Sequence, residues 1–377
     1  MAKLKGDYTP SLKNVLEYFK AKEVNSGLLR ASYNPRTLWK ALYEEKEEDN
    51  VTPRHFIVGG ATDALLTQSK AIFEKEYVFM DCEKPGGKMK IFTENLLPGL
   101  TDESNGSNFE SAYKKSEFKG NMENIIKKFW SDVSAVTYYN KLSEAKNKAV
   151  ISPEEMTEIN YTTTQLLKSK FTKKYFNNPN NLYQVDIRWV FQGIACKSLL
   201  DILEIDYQNK TLRVVDLKTT AQSLNQFERN VMKFGYLLQV AFYTLAVEYW
   251  KDNIEVEFSD FIILPPQFIA CETSAKFNNA PRIFQVSEDD LHFAINGGNI
   301  YGVYSKGIKD LANLYEWHID SDEWEYSPDL LTSEGIQNMR IYEGTPKEIK
   351  HEKEIIKIVQ FEKSKGKDKA DGKRSIP

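Results

Sequence analysis

Cysteine is scarce in this chain: Cys82, Cys196 and Cys271 are its three, scattered over 377 residues without a C-x-x-C pair. That spacing builds neither a thiolate zinc site nor a disulfide framework. Long apolar runs are also missing. No stretch approaches the length of a membrane span, and the start, Met1-Ala2-Lys3-Leu4-Lys5-Gly6-Asp7, lacks the apolar core of a secretory signal. The expectation is a soluble, cytoplasmic protein with no membrane partner. A basic excess is absent too: 50 Lys and Arg stand against 54 Asp and Glu, a net charge of −4. A uniformly basic surface for nucleic acid is therefore excluded, and any such contact must rest on local clusters. No internal repeat is found. What remains, 41% hydrophobic and 28% charged residues, is ordinary for a globular fold.

The most informative segment lies mid-chain. Tyr183 to Val190 and Ile194 to Tyr207 are rich in aromatic and β-branched residues, and Tyr207-Gln208-Asn209-Lys210 is a polar turn. Thr211 to Leu217 then alternates, which puts Leu212, Val214, Asp216 and Lys218 on one side. Asp201 sits between Leu200 and Ile202 in the preceding apolar strand. A carboxylate on an apolar face is costly unless a cation compensates it. Mg²⁺ prefers oxygen ligands, one or two carboxylates plus water and substrate phosphate. Asp201 and Asp216 supply that pair, and the backbone carbonyl of Leu217 offers a third oxygen. Lys218 would orient or deprotonate an attacking water and balance charge. A surface hairpin with ordinary salt bridges also shows D-x-K, so the motif gains weight only from Asp201 and from the helix C-terminal to it.

That helix is expected over Asn225 to Lys251 as one long element, with Phe227, Val231, Phe234, Leu238, Phe242 and Leu245 at helical spacing. On another face Gln239 and Tyr243 stand four apart, with Tyr236 a turn earlier. Such a pair can hold a DNA strand, although an aromatic residue at this spacing is more often core.

Strand-Asp, strand-Asp-x-Lys and a helix with Gln-x-x-x-Tyr resemble the PD-(D/E)xK nuclease superfamily, in its RecE-like and RecB-like, phage-type exonuclease branch. Ile151-Ser152-Pro153-Glu154-Glu155-Met156, opening a helix to about Phe176, resembles the helix before the core hairpin. Phe56 to Leu66 resembles the family's G-x-A-x-H-x-L helix, with Asp63 where the family carries a metal-ligating His. The resemblance implies an α/β restriction-endonuclease-like core, a central mixed sheet flanked by helices with helical elaborations. It also implies a Mg²⁺ cofactor (Mn²⁺ as the alternative) held by Asp63, Asp201, Asp216 and Leu217. The three cysteines do not match the four of the superfamily's iron–sulfur branch. Taken apart from the family, Asp63 reads as an acidic residue in the first turn of a helix beginning after Gly59-Gly60.

On this reading residues 1–360 form a single nuclease domain, with its core at about 52–75 and 150–290 and a helical insertion at about 101–180. Residues 361–377 are a charged tail expected to be disordered. Within 1–50 one helix is expected from Pro10 or Ser11 and another from Pro35; residues 101–110 read as a polar loop. Further expected elements are a short β segment at Tyr77–Met80, strands at Val256–Leu264 and Arg282–Val286, and a helix from Ser287 to about Trp317. Lys168, Lys170, Lys173 and Lys174 form the basic cluster nearest the proposed site, with further groups at Lys114, Lys115 and Lys119 and at Lys127 and Lys128. The activity expected is Mg²⁺-dependent double-strand exonuclease action on DNA in recombination, repair or phage DNA metabolism. A single-strand annealing protein as partner and a homo-oligomeric ring are implied by the resemblance, as is a bacterial or phage-infected cell. The alternatives are a structure-specific or single-strand endonuclease and a non-catalytic DNA-binding or assembly protein.

Overall fold

A computed structural model describes residues 22–44, 53–96, 106–145, 148–300 and 303–337. The helix expected from Pro10 or Ser11, the start of the 101–110 loop and the 361–377 tail lie outside the described residues. The chain divides into two compact units, Met1–Gly27 with Glu45–Leu291 and Leu28–Glu44 with His292–Pro377.

The first unit is a mixed sheet flanked by helices. Helix α1 (Arg54–Thr67) is followed by β1 (Tyr77–Phe79), which pairs in parallel with β2 (Ala149–Ile151). Between these two strands, the helices Gly87–Glu94, Gly106–Ser116, Met122–Ser131 and Val133–Glu144 pack around Phe92, Phe109, Phe129 and Tyr139, a core of their own. Helix α2 (Pro153–Lys168) opens on a capping box in which Ser152 and Glu155 bond each other's backbone amides. It stops at Lys168, eight residues before the expected end. Buried Thr172 donates to the Leu166 carbonyl at 2.6 Å, and a 3-10 turn then sends Tyr175 and Phe176 into the sheet core.

The sheet comprises β3 (Leu182–Phe191), β4 (Ile194–Asp206), β5 (Thr211–Thr220), β6 (Ile262–Ile263), β7 (Gln267–Glu272) and β8 (Arg282–Gln285). Its order is β3-β4-β5-β7-β8, with the short β6 also on β5. The β3, β4 and β5 strands run antiparallel, β5 and β7 parallel, and β7 and β8 antiparallel. The polar turn between β4 and β5 is held by Asp206, whose Oδ1 accepts the Gln208 and Asn209 amides.

The expected long helix is two helices, α3 (Phe227–Phe234) and α4 (Tyr236–Asn253). Gly235 separates them at φ 67, a left-handed backbone that glycine takes without steric cost and that ends a helix. Helix α4 packs across β3, β4 and β5, with Phe242 edge-on to Trp189 at 4.7 Å. On β5 and β7, Val215, Leu217, Ile269 and Cys271 instead meet Leu66 of α1 and Leu166 of α2. The strand expected over Val256–Leu264 is only a 3-10 turn and the two residues of β6. Strand β7, between β5 and the edge strand β8, has all six of its residues buried. A fully buried strand shows no alternation, so its sequence carries no period to read.

In the second unit, the helix Pro35–Tyr43 begins at the expected Pro35, with Asn34 as its N-cap. The helix expected from Ser287 to Trp317 is broken. Glu288–Asn296 ends at Gly297, φ 73, and a hairpin of Gly298–Ile300 and Val303–Ser305 precedes the helix Ile308–Ser321. Among the described residues, no helix is long and apolar enough to cross a membrane.

Candidate metal centre

The β4/β5 ladder runs from Asp206↔Thr211 to Ile202↔Val215 and stops. The next step would set Asp201 opposite Asp216. There the backbone pairing gives way, and the Leu217 N–H donates to Asp201 Oδ2 at 2.8 Å. On its other side, the β3/β4 register pairs Tyr183 with Ile202, passes over Gln184 and Asp201, and resumes at Val185 and Leu200. Asp201 therefore lies at a gap in both ladders. Strand β5 continues past the gap paired with β7, Asp216 beside Phe268 and Lys218 beside Ala270.

Asp216 is 1% exposed, and Lys218 Nζ lies 2.5 Å from its Oδ2. The two share a side of β5, as two-residue spacing requires. Beyond the ion pair the carboxylate is short of partners: among the described residues, no donor makes a well-aligned hydrogen bond to either oxygen. Lys218 Nζ also lies 4.8 Å from the centre of the Tyr236 ring at the start of α4.

Asp63 comes from α1. It lies in the third turn of Arg54–Thr67 rather than the first, because Gly59 and Gly60 are inside the helix. The helix-start reading of Asp63 is therefore corrected. The glycines serve approach instead. A Cβ on Gly60 would meet Tyr77 Oη at 2.6 Å, and one on Gly59 would touch Thr219 Oγ1 of β5 at 3.4 Å. The Thr67 hydroxyl lies 2.9 Å from the Asp63 carbonyl and 3.1 Å from its Oδ1, and Gln184 Nε2 donates to Asp63 Oδ2 at 2.5 Å.

The charges are coupled. Burial, and then the charge of Asp201, push the Asp63 carboxyl well above the usual range, with Thr67 opposing. Burial and the Asp216 charge push Asp201 up to about 7 against the pull of Lys218 and the Leu217 amide. Burial raises Asp216 as well, opposed by Lys218. For Lys218, burial pulls downward, but Asp216 and Asp201 outweigh it and hold the ammonium above its ordinary value. Among the described residues, no three Asp, Glu, His or Cys side chains close on a single point as a finished cage. Asp63 turns to the Gln184 amide and Asp201 to the Leu217 N–H, while Asp216 lies in the ion pair with Lys218. The donor set still fits a hard divalent cation, since it is all carboxylate oxygen and includes a buried oxygen with no partner.

The residues expected to contact DNA are arranged differently. Gln239 Nε2 donates to Tyr243 Oη at 2.9 Å along α4, and Tyr243 is buried. Lys168, Lys170, Lys173 and Lys174 are exposed at the end of α2 and on the 3-10 turn, with Lys170 over the Phe171 ring and Lys174 over that of Tyr175. Gln184 and Thr67 were not among the residues the sequence singled out. A glutamine in a strand and a threonine at the end of a helix have no distinguishing pattern. The one available signal for Thr67 is its i, i+4 spacing from Asp63.

No known protein family and no curated protein matches the chain. Among solved structures, one from Eubacterium rectale, named a "putative exonuclease", aligns with 88% of this chain and 96% of its own, at 12% identity and a TM-score of 0.42. The geometry of the site itself carries the functional reading.

Proposed function

We propose that the chain is a metal-dependent deoxyribonuclease of the PD-(D/E)xK type, acting as an exonuclease on double-stranded DNA. One observation carries this reading: the buried, under-bonded carboxylate of Asp216 beside Lys218, with Asp201 at the gap in the ladder next to it. A buried carboxylate left short of donors is unfavourable for stability alone, which favours a functional reason for keeping it.

Asp201 and Asp216 would hold Mg²⁺ or Mn²⁺, with the Leu217 carbonyl and Asp63 completing the set. The bound cation supplies charge stabilisation for the phosphate and acidifies a water. Lys218 keeps its proton and acts as a donor, aiming the attacking water and opposing the charge that builds on phosphate oxygen. Tyr236 caps the ammonium and limits its swing toward solvent. Gln239 and Tyr243 would steady the strand, and the lysines at 168–174 would meet phosphates. The exonuclease form, a ring assembly and a single-strand annealing partner are in keeping with the RecE-like order of the motifs.

The test is digestion of linear and covalently closed circular DNA with Mg²⁺, Mn²⁺ or EDTA. Linear DNA should be degraded from its ends, circles should resist, and EDTA should abolish the degradation of linear DNA. Rapid nicking of circles would replace the exonuclease with an endonuclease, and no cleavage of any form with either cation would overturn the reading.

A further inference from the structure

Gln184 lies inside β3 at φ 50, a left-handed backbone that residues with a Cβ rarely take. The same residue is the one at which the β3/β4 register is skipped, opposite Asp201. Its amide reaches α1, with Nε2 2.5 Å from Asp63 Oδ2 and 3.3 Å from Thr67 Oγ1. Thr67 lies 3.1 Å from the other Asp63 oxygen. One carboxylate oxygen therefore meets the neutral Gln184 amide from the strand, and the other lies beside the Thr67 hydroxyl, whose single proton is shared with the Asp63 carbonyl.

Glycine would fill a left-handed strand position without steric cost. Glutamine there is explained by its side chain. A lysine would place a competing cation in the centre, and a glutamate would add a fourth carboxylate to three that already repel one another. An amide donates without either effect.

We propose that Gln184 is a positioning residue of the metal centre: its left-handed backbone aims a neutral amide at Asp63 and fixes the direction in which that carboxylate offers its remaining lone pairs. The inference rests on the metal-site reading under Proposed function. Partners of a ligating carboxylate that hold it from behind typically govern metal affinity by a factor of about 10–100.

The experiment measures Mn²⁺ binding by calorimetry, and thermal unfolding in EDTA, on the full chain. The variants are Gln184→Gly, Asp63→Asn and the two combined. Gln184→Gly relieves the backbone and deletes the amide, so in EDTA it should unfold at the same or a higher temperature. Its Mn²⁺ affinity should nevertheless fall about tenfold or more. In the Asp63→Asn background, Gln184→Gly should cause no further loss, because the amide acts through Asp63. Should the glycine variant fail to fold, Gln184→Asn supplies the same comparison, since asparagine tolerates the left-handed region but retracts the amide by one carbon. Unchanged Mn²⁺ affinity in Gln184→Gly, or an equal loss with and without Asp63, overturns the positioning role while leaving the metal site standing. Failure of the unaltered chain to bind Mn²⁺ overturns both.

Discussion

Asp216 on β5 and Glu272 on β7 are each 1% exposed, on neighbouring strands of one sheet, yet their surroundings differ. Glu272 is fully met. Its Oε1 accepts from the Leu224 N–H at 3.0 Å and from Asn279 Nδ2 at 2.6 Å, and its Oε2 accepts from the Asn279 N–H at 3.2 Å. Those bonds tie the segment after β5 to the loop after β7. Asp216 has one close cation and an oxygen with nothing. Burial is common to both; satisfaction is not. A carboxylate that fastens two loops is matched to its donors, whereas Asp216, for which we propose a role in chemistry, is left with unused acceptor capacity.

The sharpest break in that comparison is catalytic. Asp216→Asn and Lys218→Ala should each reduce DNA cleavage by about 10²-fold or more while the circular dichroism spectrum is preserved. Near-normal cleavage by a Lys218→Ala protein purified free of the parent would end the role given to that ammonium. Glu272→Ala should do the reverse. It strands the Leu224 and Asn279 donors and should lower unfolding stability by about 3 kcal/mol in a denaturant titration, whereas Asp216→Asn should not lower it. If both substitutions destabilise equally, the distinction between the two carboxylates is wrong.

The pH response sharpens the comparison further. Asp201 has its folded-state pKa raised from 3.8 to about 7. The folded protein then holds that proton more tightly than the unfolded chain does, so the contribution is fully present below about pH 4 and is lost as pH rises through 7. In EDTA, the melting temperature of the unaltered chain relative to Asp201→Asn should therefore fall between those limits. A difference that stays flat across the range would contradict the burial and charge assigned to Asp201. The smallest effect belongs to Gln239→Ala, which deletes the donor of one half-buried bond to Tyr243. It should cost about 1 kcal/mol or less and weaken DNA binding in an anisotropy titration. A loss of stability without any change in binding would make the pair a packing device.

Asp201, Asp216 and Lys218 were legible in the sequence because strands have a period of two and a charge interrupting an apolar face stands out. The β3-β4-β5 meander followed from the same pattern, whereas the mixed sheet was what the family resemblance implied. Where the reading failed, the cause was local. Gly59-Gly60 looked like a helix boundary but are interior glycines that let α1 approach Tyr77 and Thr219. Gly235 and Gly297 did break helices, although the apolar spacing from Phe227 to Leu245 runs on across the first of them. Strand β7 was missed because a strand buried on both faces loses its alternation. Gln184 was out of reach for another reason: its role depends on a backbone angle and on a residue 121 positions away, and neither leaves a trace in a linear pattern.

Gly60 sets a limit on how this protein can be strengthened. Alanine is the better helix former by about 1 kcal/mol, and a routine stabilisation campaign would put it there. The added methyl would meet the Tyr77 hydroxyl at 2.6 Å, so either the phenol or α1, one turn before Asp63, would have to give way. The helix would gain in propensity, and where α1 rather than the phenol gave way, Asp63 would move with it. Under the proposed metal role, position 60 is a place where heat resistance and cation capture would be exchanged for one another, and a library selected for melting temperature alone would drift away from that role.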